Sequence, residues 1–439
     1  MSEVAYRLSV APELDRFRPE IEFACDFLDL SHFVVRAPDG ARVLHYGPNA
    51  PAGAVTVPAA LFPEGVQVDA DGLHPEREAL ARLVALKEAG LLPPQGDASS
   101  PLRYDAIGLI VLLLSRLEER GHPARSREHD RYGRFPVGAA LIAPDDGRLY
   151  PWADRAARDL AAAITGEPRP ASRTHYAVKF THDVDRLRGY HRPFEPIRNA
   201  AGDLLKRGNP RAALSRLKKS YLNGEPWRSA RRLMDLSERH GIASHFYFMG
   251  PSEDTRDSPY VLSMPDLLRA LTGEIRERGH VVGFHPGART PADADEWRRQ
   301  KDGLETVISM PVTEGRQHTL RYDAEATPRI WSDAGMTLDC TLAYPEVVGF
   351  RSGTCRPHRA YDLVARRALP LKQISTAVME FGLIGGRYFD HPVSKVLADS
   401  LWARGVCREF GGTFTILLHT GQSDPRLWNW IEALLPEVA

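Results

Sequence analysis

The chain has 439 residues, enough to bury a large core and to form two domains, or one domain with a sizeable attachment. Hydrophobic residues at 43% and charged residues at 26% exclude the compositions of disordered and fibrous chains. Lysine plus arginine equals aspartate plus glutamate at 57 each, so no global field favours nucleic acid or an anionic membrane.

In chain order, the opening MSEVAYRLSVAPELDRF has neither the basic start nor the apolar run of a secretory signal, which predicts cytoplasmic action. Mixed strand and helix signals follow. A long helical pattern runs from Tyr104 to Arg120. Its apolar centre, AIGLIVLLL from Ala106 to Leu114, is about half the roughly 20 residues that a membrane span requires, so it reads as a buried helix and no transmembrane segment is expected. An irregular stretch, REHDRYGRFPVG, comes next. The four cysteines, Cys25, Cys340, Cys355 and Cys407, are far apart and lack CxxC spacing, which predicts reduced, buried thiols. Prolines and a glycine in GEPRPAS, residues 166 to 172, suit a linker. The expected organisation is therefore a smaller α+β domain over 1–170 and a second domain over 171–439.

Beyond the linker, short apolar runs alternate with amphipathic stretches, the pattern of parallel β/α units. Strands are predicted at AVKF (177–180), HFYFM (245–249), VVGF (281–284) and FTILL (414–418). Helices are predicted over Ser229 to His240, Asp266 to Arg278 and Ala292 to Ile308. A basic stretch, KRGNPRAALSRLKK from Lys206 to Lys219, suits a phosphate-bearing substrate or a membrane surface, and equally a solvated helix face.

Three of the runs end in ionisable residues. AVKF leads to Thr181, His182, Asp183 and Asp185, VVGF leads to His285, and FTILL leads to His419. In a β/α barrel the C-terminal strand ends surround one pocket, so these residues are expected to converge. Metal-assisted hydrolysis needs one carboxylate on the cation and another free to take a proton from water, and THDVD offers both, although an Asx turn would explain one of them. Neutral imidazole donates a lone pair without adding charge, which suits His285 as a metal ligand, with His280 reading as a packed side chain. His318, between Arg316 and Arg321 in RQHTLRYD, is kept neutral and competent as a ligand if the three share a pocket; otherwise it lies on a basic surface strand. His419 suits a general acid.

Taken together, THDVD, GHVVGFHPG, LRYD with the downstream AGMTLD, and TILLH resemble the ordered motifs of the polysaccharide deacetylases, the NodB-homology family or carbohydrate esterase family four. The resemblance runs from about Tyr176 to the C-terminus. The stretches YDAIGLIVLLLSRLEE, DRYGRFPVGAAL, RQHTLRYD and GFRSGTCRP further resemble a bacterial subgroup with an extra N-terminal domain of unknown function.

The resemblance implies a distorted (β/α)7 barrel with one divalent metal, zinc as a rule, held by one aspartate and two histidines. By position it makes Asp183 the base, Asp185 and His285 metal ligands, Arg321 the arginine that orients the base, Asp339 the aspartate that orients the terminal histidine, and His419 the acid. Arg289 stands where the family has its second histidine, so His318 is expected to supply the third ligand. The implied reaction is N-deacetylation of an amino sugar or glycan precursor; the missing signal peptide points to a nucleotide- or lipid-linked one, and the balanced charge to no nucleic-acid partner. A deformylase or other acyl-amide hydrolase, and a catalytically silent carbohydrate-binding relative, are the alternatives. A scaffolding role fits the intact motifs less well, and no oligomeric state is implied.

Overall fold

The computed structural model describes residues 3–86, 90–93, 102–121, 132–188, 194–221, 226–385, 388–421 and 424–439. Residues 127–131 of the irregular REHDRYGRFPVG stretch lie outside them. The backbone forms two compact units. The first comprises Met1–Ala177, Tyr322–Ala377 and Ala403–Phe414; the second comprises Val178–Arg321, Val378–Trp402 and Thr415–Ala439. A single division at 170/171 is the sequence expectation, whereas the observed units are interleaved along the chain, and Asp339 belongs to the first of them.

The first unit begins with β1 (Val4–Val10), α1 (Arg18–Ser31), β2 (Val34–Arg36), β3 (Arg42–Tyr46) and β4 (Val55–Val57). These strands form a sheet in the order β2-β1-β3-β4, with every neighbouring pair parallel. Helix α1 buries Ile21, Ala24 and Leu28, an i, i+3, i+7 stripe. Helix α2 (Ala106–Leu114) is buried at all nine positions, as an all-apolar helix must be. Its N-terminus is capped by the fully buried Asp105, whose Oδ1 accepts from the Gly108 amide at 2.7 Å. The other oxygen, Oδ2, accepts from the Tyr46 hydroxyl at 2.7 Å and from the Ala60 and Leu61 amides at 2.9 and 2.8 Å. Helix α3 (Trp152–Thr165) buries Ala153, Ala156, Ala157, Leu160 and Ile164.

The helix expected to run from Tyr104 to Arg120 stops at Leu114. Arg116 is left-handed at φ 55°, and a 3-10 turn covers Leu117–Glu119. The reason is electrostatic: the buried Arg116 guanidinium donates to Glu119 at 2.9 Å, to Glu118 at 2.6 Å and to the Arg351 carbonyl at 2.6 Å. In a continued helix Glu118, two residues on, would point away from Arg116, whereas the turn brings it to the guanidinium.

The second unit is built on β5 (Ala177–Val184), α4 (Glu195–Leu205), α5 (Pro210–Tyr221), α6 (Pro226–Arg239), β6 (Ser244–Met249), α7 (Pro265–Glu277), β7 (Val281–His285), α8 (Ala294–Ile308), β8 (Glu314–Gly315), β9 (Val378–Met379), β10 (Thr413–Leu417) and α9 (Pro425–Val438). Its strands lie in the order β8-β7-β6-β5-β10-β9. Neighbours pair in parallel from β5 to β8 and between β9 and β10. The Leu418 amide donates to Thr181 O and the Thr420 amide to Asp183 O, so the chain beyond β10 advances in step with β5. The four predicted strands and three predicted helices are present, each within a few residues of its expected bounds. The protein is thus mixed α/β with parallel sheets. Among the described residues no helix is long and apolar enough to cross a membrane.

Asp105→Ala would leave a tyrosine hydroxyl and backbone amides buried without an acceptor, at a cost on the order of 3 kcal/mol. Tyr46→Phe removes only one donor and should cost about 1 kcal/mol. Urea midpoints followed by circular dichroism check the ranking, and equal midpoints for the two variants would contradict the capping role.

Candidate metal centre

Parallel strands present their C-terminal ends together, and the ionisable residues of the second unit stand there. Asp183 is the penultimate residue of β5, with Asp185 one residue beyond its end. His285 ends β7, Arg316 and His318 follow β8, Glu380 follows β9, and His419 follows β10.

Asp185, His285 and His318 form a group whose potential ligand atoms all lie within 4.8 Å of one another. His285 Nε2 is 3.4 Å from Asp185 Oδ1. Each imidazole is fixed from behind. His285 Nδ1 donates to the Arg316 carbonyl at 2.6 Å, and His318 Nδ1 donates to Asp257 Oδ1 at 2.6 Å. A neutral ring that donates from Nδ1 carries its lone pair on Nε2, the arrangement typical of metal-binding histidines.

The residues present fit a divalent cation. Among the described residues, Asp185 Oδ1 and His285 Nε2 are buried without a hydrogen-bond partner, although each is a strong acceptor when Asp185 is ionised and His285 is neutral. Burial alone would raise the Asp185 carboxyl, but the three nearby imidazoles hold it well below the usual carboxylate range. Burial likewise opposes charge on His285, and the Asp183 and Asp185 carboxylates reverse the effect and raise it. This cluster attracts positive charge. One carboxylate oxygen and two imidazole nitrogens are a donor set suited to zinc.

Arg289, where a second histidine ligand would be expected from the motif resemblance, is exposed and forms an ion pair with Asp254, its Nε 2.7 Å from Oδ2. It takes no part in the cluster. His280 accepts from the Ser244 amide at 3.0 Å and pairs with Glu238 at 3.1 Å, so its nitrogens are occupied as expected of a packed side chain.

Asp183 is buried beside the cluster. Arg316 Nη1 donates to its Oδ1 at 2.7 Å, while Nη2 donates to Thr181 Oγ1 at 2.8 Å. Burial pushes the Asp183 carboxyl up, but Arg316, then His285 and His419, outweigh it and the carboxyl is lowered. His285 Nε2 and His419 Nε2 each lie 3.9 Å from Asp183 Oδ2.

Two orienting roles expected from sequence fall on other residues. Arg316, not Arg321, holds Asp183. A Cβ on Gly315 would sit 1.9 Å from Phe284 O, so β8 lies tightly against β7, and the Arg316 amide donates to the same carbonyl at 3.1 Å. Arg321 comes after the turn and donates to the Ala288 carbonyl. Glu380, not Asp339, holds His419: its Oε1 accepts from the His419 amide at 2.9 Å and from Nδ1 at 2.8 Å. Asp339 accepts from Thr341 and from Gln373 Nε2.

His419 is pushed up to about 9, because Glu380 and the two aspartates overcome the opposing effect of burial. It is therefore protonated at neutral pH. A folded value above the ordinary 6.5 or so means that this pair's stability is fully present below about pH 6.5 and is lost as pH rises through about 9.

No protein-family model matches the chain, and no curated protein does. Among solved structures it is similar to a polysaccharide deacetylase from Mycobacterium smegmatis, at 17% identity over 60% of this chain and 84% of that one, with a TM-score of 0.40. It is also similar to a mutant of a CE4 family pseudoenzyme with restored enzymatic activity, at 9% identity over 60% of this chain and 62% of that one, with a TM-score of 0.31. Another mutant of that pseudoenzyme matches at 10% identity over the same shares, also at 0.31.

Glu380→Gln keeps the shape of the His419 contact but removes its charge. The His419 titration, followed by NMR of the imidazole nitrogens, should move from about 9 toward the ordinary value near 6.5. An unmoved titration would show that Glu380 does not set it.

Proposed function

We propose that the protein is a metal-dependent hydrolase that removes an N-acetyl group from an amino sugar or glycan precursor, nucleotide- or lipid-linked. The observation that carries this reading is the triad of Asp185, His285 and His318 beside a second, separately held carboxylate and a histidine fixed by Glu380. On the same reading β5 to β10 belong to a distorted (β/α)7 barrel.

Asp185, His285 and His318 would hold one divalent cation, with zinc favoured by the donor set. Such a cation supplies Lewis acidity toward the acyl carbonyl and lowers the pKa of water. Asp183, kept ionised by Arg316, takes a proton from the attacking water. Its Oδ1 is tied to Arg316, so Oδ2, on the side of His285 and His419, is the receiving atom. As the C–N bond breaks, His419 delivers the proton on Nε2 to the departing amine, while Glu380 fixes the ring through Nδ1. The products are acetate and a free amino sugar. A formamide would react through the same groups, with formate as the product.

Two measurements test the reading. Metal content of the purified protein should be about one divalent ion per chain. It should fall sharply in Asp185→Ala, His285→Ala and His318→Ala, but not in His280→Ala. Full occupancy in all three ligand variants would rule the site out. Acyl release from N-acetylated and N-formylated sugar precursors should drop on the order of 10²–10⁴-fold in Asp183→Asn and His419→Ala, with metal retained. Unchanged turnover in either metal-loaded variant removes that residue from the mechanism, and a fully loaded wild type that releases no acyl group favours a silent binding protein.

A further inference from the structure

The helices α4 and α5 expose the residues that a helix packed on a protein core normally hides. On α4 the buried positions are Pro196, Ala200 and Asp203, whereas the large apolar side chains point outward. Phe194, just before the helix, is 78% exposed, Ile197 52%, Leu204 50% and Leu205 82%, and Leu214 on α5 is 68% exposed. The positions 194, 197, 201 and 204/205 follow helical spacing, so Phe194, Ile197, Ala201 and the leucine pair make one stripe along the outer face. Nine large hydrophobic residues are markedly exposed among the described residues of the whole chain, and five of them fall in these 21 positions, which makes the stripe a patch and not scatter.

Charge accompanies the patch. Residues 194–221 contain seven basic side chains against two acidic ones, a net of +5 in a chain whose total is zero. Arg198, Lys206, Arg207, Arg211 and Lys218 are exposed. One of the two acids, Asp203, is buried and accepts from Arg207. The helices pack against each other, and Asn209 caps α5 by accepting from the Ala212 amide at 2.9 Å, so the residues are displayed on ordered helices.

We propose that the α4–α5 hairpin docks the protein on an anionic lipid bilayer. Its leucine and phenylalanine side chains enter the boundary between headgroups and acyl chains, while the arginines and lysines meet lipid phosphates. An outward apolar stripe bordered by cations is the arrangement of interfacial helices that lie on a membrane. Neither helix spans it; α4 has 11 residues and α5 has 12, well short of the roughly 20 required. This proposal is independent of the catalytic reading, because it uses none of the residues of the metal centre.

The test is co-sedimentation of the purified full-length chain with vesicles of phosphatidylcholine containing phosphatidylglycerol, and with vesicles of phosphatidylcholine alone. The protein should sediment with the anionic vesicles, and partition at least roughly tenfold less with the neutral ones or at high salt. The double variant Phe194→Ser/Leu205→Asp and the charge variant Lys206→Glu/Arg211→Glu should each lose binding. Leu262→Asp, at a site 68% exposed outside the hairpin, should keep it. Thermal unfolding checks that each variant is folded, and the charge variant serves alone if the apolar one is not. No partition onto anionic vesicles, or partition that the hairpin variants leave unchanged, overturns the proposal. So does a dimer in sedimentation velocity that Leu205→Asp dissolves without any vesicle binding, since a second copy would then own the face.

Discussion

A carboxylate as deeply buried as Asp183 needs a permanent counter-charge, and the guanidinium of Arg316 is that charge. The pair is 2.7 Å apart with both side chains out of water. Removing the arginine would strand the carboxylate at a cost of about 3–5 kcal/mol, so the pair constrains whatever surrounds it. Side chains that share a strand face extend the same logic through the interior. Lys179, Thr181 and Asp183 alternate along β5, His245 and Tyr247 along β6, and Glu314 and Arg316 lie two residues apart at β8. Arg316 lies over the Tyr247 ring, the Tyr247 hydroxyl donates to Glu314 at 2.9 Å, and Glu314 in turn meets Lys179 at 3.1 Å and His245 at 2.6 Å. Although burial alone would raise it, Glu314 is held at about 2 by His245 and Lys179. Opposite charges are thus matched in pairs, which allows so polar an interior next to the Asp185, His285 and His318 cluster.

The third potential ligand is held by a strained backbone. Thr319 and Leu320, immediately after His318, have φ of 59° and 58°, a conformation costing on the order of 1–3 kcal/mol for each such residue. A β-branched threonine adopts it only when its neighbours over-determine the turn. They do so here. Gln317 Nε2 donates to Gly287 O at 2.8 Å and to Thr290 Oγ1 at 2.7 Å, the His318 amide donates to Pro286 O, and Asp257 takes His318 Nδ1. Gly287 is needed for this, since a Cβ there would lie 2.2 Å from Asp257 Oδ2. The loop therefore aims His318 at the cluster from β8, while Arg289 on the loop after β7 turns to Asp254.

What was legible in the sequence were the residues at strand ends. Apolar runs that stop at THDVD, FHPG and LLHT mark both the strands and their functional termini, because parallel strands place their C-terminal ends together. The partners were less legible. Glu380 follows a two-residue strand in VMEFG, too short for any periodicity to announce it. Asp257 is one of three acids in PSEDTRDSPY, and only the fold shows that Asp254 pairs with Arg256 and Arg289 while Asp257 faces His318. Arg316 and Arg321 flank His318 on either side in RQHTLRYD; the tight approach at Gly315 and the left-handed turn between them decide which reaches Asp183. The interleaved units were hidden because composition changes at the linker, whereas compactness depends on contacts between segments hundreds of residues apart.

Asp183 and Asp185 show why identical side chains two residues apart suit different work. Both feel the His285 and His419 imidazoles, and both are lowered. The difference is in what holds each oxygen. Asp183 has one oxygen fixed by an arginine that remains charged at any accessible pH, which keeps the carboxylate in place whether or not a cation is nearby. Asp185 is only half-buried as a residue, yet its Oδ1 is buried without a hydrogen-bond partner among the described residues and faces two histidines whose other nitrogens are already committed. A carboxylate anchored to arginine retains a free oxygen for a proton, whereas a carboxylate whose buried oxygen lacks a partner gains most from a cation. Arg316 is thus what distinguishes the two carboxylates of THDVD in the folded chain, and it stands 133 positions along the sequence from the one it holds.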